Sequence, residues 1–449
     1  MEIEIPKGAK NIIESLNAAG YEAYVVGGCV RDSLMHKKPS DWDICTSAPA
    51  QEMLHIFGER RVIPTGLKHG TITLLEKDGA YEVTTFRIDG EYEDHRHPKE
   101  VVFTSELAED LGRRDFTINA MAWHPQKGLI DMYGGVDDLK NRLVRAVGEP
   151  SKRFDEDGLR MLRMVRFATV LDFDYDQATF EAAMQQSHLL AYISKERIQV
   201  EFNKTLLAAH PARGLEDLYT LGMYPHIIPQ MCHTVGFLQN GGHHFLDVFE
   251  HSILAVGLVE RDLVLRLTML LHDIAKPFTW EENIEKGYDS FSNHAEVGAE
   301  IANKILRNLK YDNATRKDVV ALIRTHNDIL YPAELNIRQN LAKMGEVQLR
   351  RLIKVKVADL LAHDLADGRA QMVDMFSEIE TLLNQIIERG DCVAIKDLAI
   401  NGKDMQELGI KGRAIGEMLS KALEEVIEHP EKNERGTLIE LCKLLKNYQ

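Results

Sequence analysis

The stretch from Tyr24 to Ser47 constrains the fold more than any other. It reads Tyr-Val-Val-Gly-Gly-Cys-Val-Arg-Asp-Ser-Leu-Met-His-Lys-Lys-Pro-Ser-Asp-Trp-Asp-Ile-Cys-Thr-Ser. Tyr24, Val25 and Val26 read as a buried strand, and Gly27 and Gly28 end it. An amphipathic helix is expected from about Cys29. Without Cβ atoms the two glycines let backbone N–H groups approach a ligand closely. The helix start behind them adds free donors and a partial positive charge, which suit a phosphate, and Arg31 adds a full charge. A turn at Lys37, Lys38, Pro39 and Ser40 then leads to a second short strand expected to carry Asp41 and Asp43. Residues two apart on a strand share a face, so two carboxylates would stand together and repel unless a cation lies between them. Hard oxygen donors of this kind suit Mg²⁺ held with substrate phosphates. A pair of such ions, about 3.5–4 Å apart, can clamp both oxygens of an in-line displacement. Gly-Gly alone, or Asp-x-Asp alone, also fits a tight turn or a solvated strand end. The ordered combination is the specific signal.

In the same region, residues 7–18 and 49–57 read as helices, and residues 60–63, 70–75 and 80–86 as strands. Glu82 alternates with Tyr81 and Val83, so it can face the Asp pair from a neighbouring strand as a third carboxylate, or stand as an exposed strand Glu. Residues 89–99 are charged, with Gly and Pro, and read as a loop; Arg96 and Lys99 there are within reach of a triphosphate. Residues 112–122, Gly-Arg-Arg-Asp-Phe-Thr-Ile-Asn-Ala-Met-Ala, read as a helix start with Asp115 as its cap. Guanidinium groups at Arg113 and Arg114 suit bidentate phosphate binding. A strand at Leu129–Tyr133, a turn at Gly134 and Gly135, and a last strand over Leu143–Val147 follow. From Ser151 onward helical patterns dominate, with Phe154, Leu159, Leu162, Val165 and Phe167 forming one apolar side.

Net charge is −16 over 449 residues, the wrong sign for a general nucleic-acid coat. The distribution is uneven: Lys140–Val170 holds eight Lys/Arg against four Asp/Glu. Such a strip fits a focused RNA contact, or a solvated helix face. The five cysteines, Cys29, Cys45, Cys232, Cys392 and Cys442, are scattered with no Cys-x-x-Cys, which argues against a zinc finger or a disulfide framework. No apolar run approaches the ~20 residues of a membrane helix, and the N-terminus lacks a signal-peptide core. A soluble cytoplasmic protein with no membrane partner is expected.

The Gly-Gly-x-Val-Arg-Asp and Asp-x-Asp segments together resemble the signature of the nucleotidyltransferase superfamily that includes DNA polymerase β. Their form is similar to the bacterial branch of tRNA CCA-adding enzymes and poly(A) polymerases. Arg-Arg-Asp-Phe-Thr-x-Asn-Ala matches that branch, and residues 89–99 resemble its flexible loop, which argues against a CC-only enzyme. The resemblance implies that Asp41 and Asp43 are catalytic Mg²⁺ ligands. It implies nucleotide binding by Gly27, Gly28, Arg31, Arg114, Asn119, Asp157, Arg160, Arg163 and Arg166. Asp157 and Arg160 are three apart and on a helix would share a face. Spacing alone fits an ordinary salt bridge. The match of Glu156-Asp157-x-x-Arg160 implies instead a protein template that reads the incoming base. A carboxylate can accept from the amino group of C or A, whereas U and G leave it unpaired at a cost of about 1–3 kcal/mol. Ser194-x-Glu196-Arg197-Ile198 matches a further family segment, where Glu196 and Arg197 resemble a brace.

A second constellation lies further on: His251, the doublet His272-Asp273, His294, His326 and Asp359. Imidazole and carboxylate together build a divalent site. The ordered set resembles the ligand series of HD-domain phosphohydrolases, with Asp364 competing with Asp359 as last ligand. Near the end, Gly409–Gly416 leads into a helix whose start suits an RNA phosphate or a plain connection.

The expected fold is α+β: a nucleotidyltransferase head with a small mixed β-sheet and helices on one side (1–149), a helical neck (150–235), an HD metal-binding domain (236–370) and a helical tail (371–449). The expected activity is addition of C, C and A to tRNA lacking its 3′ CCA, from CTP and ATP, with Mg²⁺ in the head and a divalent metal in the HD domain. Poly(A) polymerase and A-only addition are the rivals within the family, although this acidic chain lacks a basic tail. An HD phosphohydrolase with an RNA-binding head is the rival from a different class.

Overall fold

A computed structural model describes residues 3–58, 62–89, 101–238, 246–281, 289–363 and 369–447. Arg96, Lys99 and Asp364 lie outside the described residues, as does the loop read at 89–99 apart from Asp89. The chain forms two compact units, Met1–Cys232 with Asn308–Lys310, and His233–Arg307 with Tyr311–Gln449.

The first unit opens with nine strands: β1 (Ala23–Val26), β2 (Ile44–Thr46), β3 (Val62–Gly66), β4 (Thr71–Glu76), β5 (Gly79–Thr85), β6 (Arg87–Asp89), β7 (Val101–Phe103), β8 (Met121–His124) and β9 (Gly128–Asp131). Seven of them form one sheet in the order β3-β4-β5-β2-β1-β8-β9, while β6 and β7 pair with each other. Neighbours in the seven-stranded sheet run antiparallel except β2 and β5, so the sheet is mixed. The parallel pair exists because residues 47–78 supply the long crossover that such pairing demands.

Helices α1 (Lys7–Ala18), α2 (Gly28–Leu34) and α3 (Ala50–Phe57) share a core with the sheet, where Ile12, Ile13, Leu16, Val30 and Met53 pack with Val25, Ile44 and Val83. The opposite face is covered as well, which corrects the one-sided expectation. There Leu107 and Leu111 of α4 (Leu107–Gly112) pack with Tyr24, Val26, Cys45 and Ala122. Successive side chains of a strand point to opposite faces. A run as apolar as Tyr24-Val25-Val26 therefore needs cover on both, and burying each such side chain is worth about 1.5–3 kcal/mol.

The segment 112–122 does not start a helix. A 3-10 turn at Thr117–Asn119 leads into β8, which lies between β1 and β9. Met121, Ala122 and Trp123 are all buried there, so strand pairing overrides the helical preference of Ala and Met. Gly134 has φ 75°, and a short helix α5 (Gly135–Lys140) follows where only a turn was expected.

Beyond it come α6 (Pro150–Glu156), α7 (Leu159–Leu171), α8 (Gln177–Gln186), α9 (Lys195–Leu206), α10 (Ala212–Thr220) and α11 (Tyr224–Ile227). The one strand pair among them is short: β10 (Leu143–Val144) with β11 (Asp174–Tyr175).

The second unit is helical: α12 (Val248–Leu258), α13 (Leu263–Leu271), α14 (His294–Asn308), α15 (Asn313–Thr325), α16 (Glu334–Ala362), α17 (Arg369–Arg389), α18 (Gly402–Glu407), α19 (Arg413–Glu428) and α20 (Arg435–Asn447). Gly345, at φ 77°, breaks α16 into two helical pieces. Leu349 and Ile353 of α16 pack with Ile379 and Leu383 of α17, and a separate core joins α18, α19 and α20 through Met405, Leu419 and Leu438. All five cysteines are free.

Candidate active site and metal centre

Gly27 is where β1 turns into α2. Its φ of 84° is one that L side chains rarely adopt, and a Cβ there would stand 3.1 Å from Arg114 Nη1. The conformation therefore favours glycine, and any side chain there would also crowd Arg114. Its N–H bonds Met121 O at 3.1 Å, which fixes the turn against β8. Arg31 is almost buried; Nη1 donates to Asn119 Oδ1 at 2.7 Å and Nε to Asp32 Oδ1 at 2.8 Å.

Asp41 and Asp43 precede β2 and do not lie within it, which corrects the strand reading. Only the Asp43 carbonyl joins the sheet, accepting from Val26 N at 3.0 Å. Both residues are exposed, and Ser40 Oγ donates to Asp41 Oδ1 at 3.0 Å. The Ile44–Val83 pairing, carried one residue back, sets Glu82 beside Asp43, and Glu82 is exposed too. Asp43 keeps an open rim but stands over a dense protein floor. That desolvation, with the Asp41 and Glu82 charges, pushes its carboxyl up to about 6 against the pull of Arg114. Arg114 compensates these crowded carboxylates only in part.

Basic side chains converge from α2, the segment after α4, and α7. Asp110, fully buried, takes Arg113 Nε at 3.0 Å and Arg114 Nη2 at 3.2 Å. Burial works to raise its carboxyl, but Arg114 and Arg113 outweigh it and hold the value down. Asp115 accepts from Phe116 N and from Asn119 Nδ2 through Oδ1, and from Arg163 Nε at 2.7 Å through Oδ2. Burial again opposes ionisation, yet Arg163 and Asn119 bring the Asp115 carboxyl to about 2. Arg166 lies 2.9 Å from Glu201. Burial, reinforced by Arg163 and Arg31 but opposed by Glu201, brings its guanidinium to about 10. Arg31, Asn119, Asp115 and Arg163 thus form one continuous network, while Arg114, held by Asp110, stands beside Gly27 and pulls on the Asp43 carboxyl.

The base-reading pair is arranged differently from the expectation. The chain leaves the helix at Asp157 (φ −148°, ψ 102°), so Asp157 and Arg160 do not share one helix face. Asp157 receives Arg197 Nη2 at 2.7 Å and Nη1 at 3.3 Å, and caps Leu159 N at 3.1 Å. Arg160 donates to Glu156 Oε2 at 2.5 Å and to the carbonyls of Arg153 and Arg113 at 2.9 Å. At the next residue, Gly158, a Cβ would meet Leu189 at 3.2 Å, so the chain there is pressed against that turn. Arg197 is a residue whose grip on Asp157 the sequence did not indicate, since the two lie forty positions apart.

In the second unit the histidine set comes together. His251 Nε2 lies 3.0 Å from Asp359 Oδ1, and His272 Nε2 lies 3.3 Å from the same oxygen. His272 Nε2 is 3.4 Å from Asp273 Oδ2, and His294 and His326 stand 3.6 and 3.9 Å from Asp273 Oδ1. Asp273 is central. His363 joins them through a group with His251 and Asp359. Its place four residues after Asp359 was the available signal, because residues so spaced share a helix face. Burial raises the carboxyls of Asp273 and Asp359, but neighbouring imidazoles, joined by Lys276 at Asp273, hold both well below the usual range. Asp273 and Asp359 overcome burial to raise His272 to about 8, whereas burial and His272 push His326 down to about 4.

Family models match three parts of the chain: the poly A polymerase head domain over residues 23–145, a probable RNA and SrmB-binding site of polymerase A over 172–234, and the HD domain over 241–364. The CCA-adding enzyme of Lactiplantibacillus plantarum is 33% identical over 98% of this chain and 96% of its own length. The chain belongs to the CCA-adding enzyme family. The enzyme of Limosilactobacillus reuteri is 46% identical, and there the match spans 48% of this chain and 53% of that relative's length. Among solved structures, the Bacillus stearothermophilus CCA-adding enzyme in complex with CTP aligns at a TM-score of 0.74 with 28% identity, over 98% of this chain and 97% of that one. The head of this family member accordingly carries the nucleotidyltransferase fold.

Both acid groups of this CCA-adding enzyme relative fit a divalent ion. In the head the donors are hard oxygens only, with a charge that Arg114 offsets in part. In the HD centre the imidazoles are aimed. Nδ1 of His272, His294 and His326 lies within 2.6–2.8 Å of the carbonyls of Met269, Phe291 and Ile323. A carbonyl can only accept, so Nδ1 carries a proton and Nε2 faces inward, where the neutral imidazole offers its lone pair to a metal. Among the described residues no helix is long and apolar enough to cross a membrane.

Proposed function

We propose that this chain adds C, C and A to the 3′ end of tRNA from CTP and ATP in the cytoplasm. The observation that carries the reading is the exposed Asp41–Asp43 pair beside Glu82, with Arg114 bridging it to the Gly27 turn. Asp41 and Asp43 would hold Mg²⁺, which when bound polarises the attacking ribose hydroxyl and stabilises charge on the leaving pyrophosphate. Arg31, Arg114, Arg163 and Arg166 neutralise and orient the triphosphate, with Gly27 and Gly28 leaving room for it. Asn119 fixes the Arg31 guanidinium from behind. Asp157, oriented by Arg197, accepts from the amino group of C or A, and Arg160 donates to the same base edge. The CTP in the B. stearothermophilus complex supports a cytidine nucleotide as substrate.

In this reading the head (1–149), neck (150–235), HD domain (236–370) and tail (371–449) divide the labour: chemistry, base choice, a second metal and tRNA contact. His251, His272, Asp273, His294, His326 and Asp359 would hold a divalent ion, and the inward-aimed imidazoles favour a phosphohydrolase activity there.

Extension of tRNA ending before CCA, with each nucleotide alone and then both, tests the main reading. Two C additions with CTP alone, followed by one A when ATP is present, are expected. Runs of A from ATP alone would mean a poly(A) polymerase instead. No uptake, with phosphate release that survives Asp41→Ala, would mean an HD phosphohydrolase.

A further inference from the structure

Phe167 sits on α7 among the residues read from sequence as plain apolar core, and it is 6% exposed. Its surroundings are not those of a plain core residue. The Arg166 guanidinium carbon lies 3.7 Å from the ring centroid, Arg31 5.1 Å and Arg163 5.4 Å. All three fall within the roughly 6 Å over which a ring's negative face attracts a cation. Phe116, itself fully buried, meets the ring edge-on at 5.8 Å and 79°, which fixes its orientation.

Ion pairs account for only part of the convergence: Glu201 reaches both Arg166 and, at 3.9 Å, Arg163, but not Arg31. Arg31 is held by Asp32, Arg163 by Asp115 and Arg166 by Glu201, and these carboxylates stand on three different elements. Each pair alone would draw its arginine toward its own partner. Arg166 is paired with Glu201 at 2.9 Å and also lies closest of the three to the ring, at 3.7 Å from its centroid. Like charges brought this close repel, and among the described residues the ring of Phe167 is common to all three guanidiniums.

We propose that Phe167 is a positioning residue for nucleotide binding, its π face gathering Arg31, Arg163 and Arg166 into a single cationic cradle for the triphosphate tail of CTP and ATP. The inference rests on the reading that these arginines hold the triphosphate. It adds that their pre-assembly, without substrate, is the work of an uncharged ring. Affinity for the nucleotide then depends on the ring's quadrupole and not only on its volume.

The experiment places 4-fluoro-, 3,5-difluoro- and pentafluorophenylalanine at position 167 of the full chain, alongside Phe167→Leu. Each protein is assayed for CTP addition to tRNA ending before CCA, with melting temperature recorded. Fluorine withdraws π density while changing the ring's shape little, so it separates charge attraction from packing. KM for CTP should rise stepwise along the series, by about three- to tenfold in total. The expected kcat stays within about twofold, KM for tRNA stays constant and melting shifts little. Phe167→Leu should reach at least the KM of the pentafluoro protein; if it does not fold, the fluorinated rings carry the test alone. An active wild type with a flat KM series, or with losses that follow melting temperature, overturns the inference and leaves the proposed function standing. A wild type that takes up neither CTP nor ATP overturns both.

Discussion

The two acid-rich groups of this chain solve opposite problems. In the head, Asp41 and Asp43 are exposed and bear only oxygen donors, and the Asp41 charge helps burial raise the Asp43 carboxyl. In the HD centre, His251, His272, Asp273 and His326 are buried, and backbone carbonyls fix the imidazoles of His272 and His326. An open pair of carboxylates suits an ion that arrives with its nucleotide and leaves with pyrophosphate. A buried set of mixed nitrogen and oxygen donors, already aimed, suits an ion that stays. Pre-organisation would thus distinguish a transient metal from a resident one, although both groups hold paired acids.

The strongest way to break the comparison is Asp41→Ala. CTP addition should fall by about 10³-fold, the several kcal/mol that a catalytic metal supplies. HD metal content and melting temperature should not move. Retained nucleotide addition would refute the role of the head acids. Next, Asp273→Ala should weaken ion binding in the HD centre by more than about 100-fold, since even outer partners of metal ligands cost 10–100-fold. Elemental analysis of the purified protein measures this, and addition of C and A should persist within about twofold. A joint loss of metal and of nucleotide addition would mean that the two groups are not independent.

Two smaller effects sharpen the account of the head. Asp115 is ionised to about pH 2 when folded, against 3.8 ordinarily, because Arg163 and Asn119 overcome its burial. A depressed carboxyl stabilises the fold above its unfolded value and loses that contribution as pH falls from about 4 to about 2. Asp115→Asn should therefore cost about 2 kcal/mol at pH 6 and progressively less toward pH 3. Urea unfolding at the two pH values checks the sign; a gap that widens in acid would contradict the ion pair. The smallest effect is expected for Arg197→Ala. Freed from its brace, Asp157 should discriminate C and A from U and G roughly tenfold less well, the scale of one hydrogen bond to a charged group. Misincorporation of UTP into tRNA ending before CCA is the readout, and unchanged selectivity would assign Arg197 to packing alone.

Local chemistry made much of this legible from residues alone. Gly27 and Gly28 after an apolar triplet announced the strand-to-helix turn, and the φ of 84° at Gly27 is what such a doublet provides. The ordered His, His-Asp, His, His, Asp series announced a cluster that the fold does assemble. Errors arose where a distant partner decided the outcome. Asp41 and Asp43 were read as strand residues because period two was the only available argument, and only β1 and β5 determine that pairing starts at Ile44. The run Asn119–Ala122 looked helical until β1 and β9 took β8 between them. Asp157 looked like the partner of Arg160 because three-residue spacing is helical, whereas Arg197 holds it from another helix.

By itself the sequence determined the mixed α+β head, the helical remainder, and which acids, imidazoles and guanidiniums were available for chemistry, because these follow from periodicity and residue type within short windows. Tertiary structure alone decided which charges meet: Glu82 beside Asp43, Arg197 on Asp157, His363 beside His251, and three arginines around Phe167. The physical reason is range. Backbone propensity acts over a few residues, while Coulomb and ring-face attraction act between whatever groups the packing of distant segments brings within a few ångströms.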